Sequence, residues 1–176
     1  MAIKQEGFNP FTMKGSPYSY YVYGAGVSLA EIDVITGEHK ILESHIVFDA
    51  GESLNPGIDI GQVEGGFMQG LGWMSTEEIK YDKQGRPINT SMYKYKVPSV
   101  SCMPLKFSVH LLPNSHNKYG VLSSKGVGEP PEMLANCVGF ALIDAIEAAR
   151  KDAHKGPLTH YDFPLVPNKV HHYLNA

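Results

Sequence analysis

Residues 53–72 read SLNPGIDIGQVEGGFMQGLG. Asn55-Pro56 is a dipeptide that opens a turn or a helix. From about Ile58 to Ile79 the pattern predicts a helix. Yet that stretch holds five glycines, at positions 61, 65, 66, 70 and 72. Each costs a helix about 1 kcal/mol relative to alanine. So many glycines need a compensating reason, which is the close approach of a neighbouring backbone or of a ligand. Gln62 and Gln69 lie two turns apart on one helical face. An amide both donates and accepts hydrogen bonds, so such a face suits a heterocyclic ligand carrying both kinds of group. Tight helix packing with surface glutamines is the plainer alternative on pattern alone.

The flanking sequence sets this helix in an α+β chain. Aromatic and β-branched residues from Tyr18 to about Val34 predict a strand. A hairpin turn centred on Thr36-Gly37 follows, and a second strand covers about Lys40–Phe48. Leu105, Phe107, Val109 and Leu111 alternate with polar residues, the mark of a half-buried strand over 105–112. A second main helix is expected from about Pro131 to Lys151, with prolines suited to its first turn and an apolar stripe through Leu134, Val138 and Leu142. Residues 1–17 read as a lead-in segment and 153–176 as a loop-like tail. The expected architecture is therefore mixed strands with two main helices.

Composition excludes several classes. The chain has 176 residues, 43% hydrophobic and 19% charged, which suits a globular domain or part of one. A net charge of −3 and a pI near 6.2 disfavour nucleic acid as the main ligand. No apolar run approaches the length of a membrane span. Two cysteines, Cys102 and Cys137, are too few for a disulfide framework, and a reducing, cytoplasmic setting is expected. The eight histidines are scattered, and no metal site is expected from this chain's own residues.

A second stretch, SSKGVGEPPE at 123–132, holds the candidate for chemistry. Glu129 falls just before a helix start, where the helix dipole favours an ionised carboxylate. Burial would strip it of water, and a general base wants that compromise of an ionised yet poorly hydrated carboxylate. Gly126 and Gly128 remove side chains beside it, so a bulky ligand can come close. An exposed helix-start glutamate is the plainer reading on spacing alone.

Together, SLNPGIDIGQVEGGFMQGLG and SSKGVGEPP, preceded by YVYGAGVSLAEIDVITGEHKI, resemble the C-terminal part of the molybdenum hydroxylases, the xanthine dehydrogenase and aldehyde oxidase family. The resemblance runs from about Tyr18 to Lys151, so it implies a molybdopterin-binding subdomain over 18–152. It implies that Gln62 hydrogen-bonds the pterin and that Glu129, with Gly128 beside it, stands next to the molybdenum. In the family that glutamate takes a proton from a Mo–OH group. The oxygen attacks an electron-poor C–H carbon, and hydride passes to a Mo=S group.

The resemblance also implies partners that this sequence does not contain. Family enzymes are many times longer and carry 2Fe-2S clusters, often FAD, and an upstream molybdopterin domain. The chain thus reads as a subdomain that is inactive alone, whose open faces favour self-association as a homodimer. The run GEPP resembles the xanthine dehydrogenase branch, implying a purine substrate, whereas animal aldehyde oxidases typically read GESG. An aldehyde-oxidising parent, or a non-catalytic interaction domain of the same fold, are the alternatives.

Overall fold

The computed structural model describes residues 7–176. The first six residues of the expected lead-in segment lie outside the described residues. Strands β1 (Gly24–Ile32), β2 (His39–Phe48) and β3 (Lys106–Leu111) form one sheet in the order β1-β2-β3. β1 is antiparallel to β2, with a register shift between Leu29 and Ala30, and β2 is parallel to β3. The helices are α1 (Pro56–Ser75), α2 (Pro130–Leu134), α3 (Asn136–Asp152) and α4 (Pro167–Asn175). The α+β architecture is as expected, with α1 and α3 as the two main helices.

The β1–β2 hairpin turns through Asp33. Its Oδ1 accepts hydrogen bonds from the backbone N–H groups of Ile35 and Thr36, at 2.8 and 3.0 Å. Gly37 adopts φ +77°, a left-handed conformation that glycine reaches without steric cost. The parallel partner of β2 needs a crossover, and α1 supplies it. Asn55 caps α1 by accepting from the Ile58 N–H, and Pro56 occupies the first turn, where its missing N–H is harmless.

The helices pack on one face of the sheet. Ile46, Phe48, Val63, Phe67, Val138, Leu142 and Ile146 are all at most 1% exposed. The Phe67 and Phe107 rings lie 4.9 Å apart at 43°, a tilted contact of the kind aromatic pairs prefer. Leu105, expected in the third strand, precedes it and is exposed.

Two expectations are corrected. The helix expected from Pro131 to Lys151 is two helices, broken at Ala135, whose backbone sits at φ −65° and ψ −9°. The tail is not loop-like throughout, because α4 buries Val170 and Leu174 in the core beside Leu165. Arg150, 4% exposed, holds that tail by donating to the carbonyls of Gly156, Tyr173 and Ala176.

Candidate functional site: an open helix face beside Glu129

The glycines of α1 divide into two sets by what lies over them. A Cβ on Gly66 would stand 2.8 Å from the Gly128 carbonyl oxygen, and one on Gly70 would stand 2.1 Å from that of Glu132. These two glycines let α2 and the loop before it sit directly on the α1 backbone. Gly72 instead leaves space for Glu77 and Pro98. Gly61 and Gly65 meet nothing within 4 Å. The backbone approach anticipated from sequence therefore applies on one side of α1, and the other side is open. Gly66 belongs to the buried side, not to the flat surface that Gln62 and Gln69 share.

Gln62, Gly65 and Gln69 are exposed along one face of α1, as their spacing requires. That face is smooth where the glycines lie and carries amide donors and acceptors at its two ends. Gly128 adjoins it: a Cβ built there would be 3.7 Å from Gln62 Oε1. Thus α1 and the 123–129 loop, distant in sequence, bring Gln62 and Gly128 side by side.

Glu129 is the next residue. It occupies the position before α2, with φ −90° and ψ −35°, and its side chain makes no capping hydrogen bond. The side chain is exposed, so the burial weighed from sequence is not supplied by this chain. What the arrangement offers is an exposed glutamate that makes no capping hydrogen bond and follows directly on Gly128, which borders the amide-bearing face of α1. Planar groups with mixed donors and acceptors can lie on such a surface at close range.

The loop that carries Glu129 is tied down at its start. Gly51 pairs with Ser124 in an antiparallel bridge. The Glu52 N–H donates to Ser123 O and the Lys125 N–H to Ala50 O, each at 2.9 Å. Tyr20 accepts the Gly126 N–H on its hydroxyl oxygen at 3.0 Å. Val127 points into the core. Sequence reasoning missed two members of this support, an ion pair. Lys125 and Asp49 form a buried ion pair, with side chains 8% and 4% exposed, and no local pattern announces a partner so distant in the chain. Burial pushes the Asp49 carboxyl up. Hydrogen bonds from Lys125, Ser115 and the Gly51 N–H, with the Lys125 charge, outweigh it and hold the pKa below the usual aspartate value.

Among the described residues, no group of three or more His, Cys, Asp and Glu side chains is placed to hold a metal ion. No described helix is long and apolar enough to cross a membrane. A cavity of about 620 Å³ lined by Ser75, Thr76, Lys80, Lys94 and Val166 sits at the C-terminal end of α1. It includes none of the predicted site residues.

The chain has counterparts among known proteins. A family model described as "Molybdopterin cofactor-binding domain" matches residues 2–104, which includes Gln62 and stops before Glu129. Xanthine dehydrogenase/oxidase of Mus musculus is 44% identical over 167 residues, covering 93% of this chain. Aldehyde oxidase of Homo sapiens is 45% identical over 158 residues, covering 89% of this chain. The chain spans 12% of the length of each of these two relatives. Among solved structures, the aldehyde oxidoreductase from Desulfovibrio gigas superposes with a TM-score of 0.75 at 27% identity, over 94% of this chain and 17% of that one. The Cu,Mo-CO dehydrogenase matches with a TM-score of 0.75 at 26% identity, over 86% of this chain and 18% of that one. On the family match and on relatives of this identity and coverage, the chain belongs to the molybdopterin cofactor-binding domain family.

Proposed function

We propose that this chain forms one wall of the molybdopterin site in a xanthine dehydrogenase-like molybdenum hydroxylase and contributes its general base, Glu129. The observation that carries this reading is the meeting of Gln62 with Gly128 beside the open face of α1, with Glu129, whose side chain makes no capping hydrogen bond, next in the chain. The residues fit the group. Gly61 and Gly65 leave a flat strip where a Cβ would meet nothing, so a planar ring system can rest against the helix. Gln62 offers Nε2 as donor and Oε1 as acceptor to the polar edge of a pterin. Gly128 keeps the space between Gln62 and the reacting centre clear of side-chain atoms.

When bound, the molybdenum cofactor supplies the activated oxygen and accepts the two electrons of substrate oxidation. Glu129 takes a proton on a carboxylate oxygen and later returns it to solvent. A base must stand within hydrogen-bond reach of the proton it takes, and the placement of Glu129 at the loop's end, ahead of α2, fixes where that reach falls. In this reading residues 18–152 are the cofactor-facing subdomain, 1–17 lead into it and 153–176 are a tail clasped onto it.

The substrate we propose is a purine such as xanthine or hypoxanthine. The Gly128-Glu129-Pro130-Pro131 run and the 44% identity to a mouse xanthine dehydrogenase/oxidase support it. An aldehyde-oxidising parent is the second reading, favoured by 45% identity to human aldehyde oxidase. The partners are the remaining domains of the parent, including iron–sulfur and flavin domains, in a cytoplasmic enzyme. One wall alone forfeits most cofactor contacts and the exclusion of water, so the isolated chain is inactive. Exposed Val27 and Leu29 on β1 favour its self-association.

The test is Glu129→Gln in the complete enzyme. The variant keeps its fold and cofactor content and loses at least ~10²-fold in turnover. Near-normal steady-state turnover of purine and aldehyde substrates would sink the assignment.

A further inference from the structure

The buried pair of Asp49 and Lys125 joins four segments of the chain at one point. Lys125 Nζ donates to Asp49 Oδ2 at 2.5 Å and to the Tyr21 carbonyl at 2.9 Å. It also stands 5.5 Å from the centre of the Tyr23 ring. Asp49 Oδ1 accepts from Ser115 Oγ at 2.5 Å and from the Gly51 N–H at 2.9 Å. Both charges are thus desolvated, and their hydrogen-bonding capacity is largely used.

A buried ion pair is a poor device for stability, because desolvation offsets much of the attraction. It is a good device for fixing one geometry, since both groups lose their partners if either moves. Lys125 is also the residue at which the loop leaves its pairing with 50–52 and heads for Gly128 and Glu129. Downstream, the Gly128 carbonyl is seated on Gly66. Only Gly126 and Val127 separate the two anchors. The position of the Glu129 carboxylate is therefore set by how Lys125 is held.

We infer that Asp49 and Lys125 are positioning residues that hold the 123–129 loop, and with it the Glu129 carboxylate, against the open face of α1. The inference rests on the reading of Glu129 as the base. It assigns Asp49 and Lys125 no contact of their own with cofactor or substrate. A displacement of about 1 Å in a catalytic group costs on the order of 10²-fold in rate, so loss of the pair acts on kcat and leaves KM nearly unchanged.

The experiment uses the complete enzyme with the double substitution Asp49→Asn/Lys125→Met, which removes the pair without stranding a buried charge. Hydrogen exchange followed by mass spectrometry is expected to speed up at least tenfold in peptides covering 123–128 and to stay unchanged in α1 and α3. The value of kcat is expected to fall about 10- to 100-fold, with KM within twofold. That loss is expected to vanish when the same pair is replaced in a Glu129→Gln background, because a base that is absent cannot be misplaced.

Unchanged exchange in 123–128 would overturn the inference. So would a kcat loss of equal size in both backgrounds, which marks a general structural defect. If Glu129→Gln alone leaves turnover intact, the reading of Glu129 fails, and the exchange data alone then decide whether the pair holds the loop. If the double variant does not fold, the same cycle with Lys125→Arg, which keeps the charge in a bulkier head group, is expected to show a smaller kcat loss of several-fold that again vanishes without Glu129. Persistence of that loss without Glu129 overturns the inference.

Discussion

Gly70 of α1 and Glu132 of α2 stand so close that a Cβ on the glycine would lie 2.1 Å from the glutamate's carbonyl oxygen. No side chain fits there without moving backbone. Gly70→Ala is therefore expected to destabilise the fold by about 1–3 kcal/mol, the usual scale of overpacking. Gly65→Ala, in open space on the same helix, is expected to stabilise it by up to about 1 kcal/mol through helix propensity. Equilibrium denaturation of the two variants reads both signs, and similar signs would contradict the division of the α1 glycines.

The Asp49 carboxyl sets an acid limit. Burial raises its pKa, but the hydrogen bonds from Lys125, Ser115 and Gly51 prevail and leave it below the ordinary value. An unfolded aspartate titrates near 3.9. A depressed folded pKa means that the pair's contribution is fully present above about pH 4 and is lost as pH falls through the folded pKa. Unfolding free energies measured from pH 6 down to pH 2 are expected to drop more steeply for the wild type than for Asp49→Asn/Lys125→Met. Parallel curves would argue against the linkage.

Arg150 is expected to govern the C-terminal segment. Its guanidinium serves the carbonyls of Gly156, Tyr173 and Ala176 from a buried position. Arg150→Met keeps the aliphatic bulk and strands those carbonyls. The expected loss is about 2–4 kcal/mol, on the scale of breaking buried hydrogen bonds to a charged group. Limited proteolysis is expected to cut first within 153–176. Cleavage elsewhere first would show that the tail is held mainly by Leu165, Val170 and Leu174.

Local pattern was enough for the elements whose signal is local. The β1–β2 hairpin, α1 and β3 announce themselves through turn residues, glycine spacing and alternation. The parallel pairing of β2 with β3 does not, because a crossover leaves no mark on the strands it joins. The signal of α4 is masked by prolines and histidines, although Pro167 suits a first helical turn and Val170 and Leu174 are spaced by four. The candidate residues Gln62 and Glu129 each sit in a distinctive run of the sequence. Gly128 was found as space beside Glu129, and the structure adds that Gln62 borders that space. Asp49 and Lys125 were invisible: each is an ordinary surface residue type until the fold buries both.

The wall that Gln62 and Gly128 form exists only after α1 has crossed the sheet and α2 has settled onto Gly66 and Gly70. These contacts join segments far apart in the chain, and a fold that depends on such contacts forms more slowly than one built on local contacts. In the reading proposed above, a chain without that closure offers a pterin only part of its wall. If the reading proposed above holds, substitutions that loosen this closure are expected to lower the fraction of the complete enzyme that retains pterin, measured on purified protein.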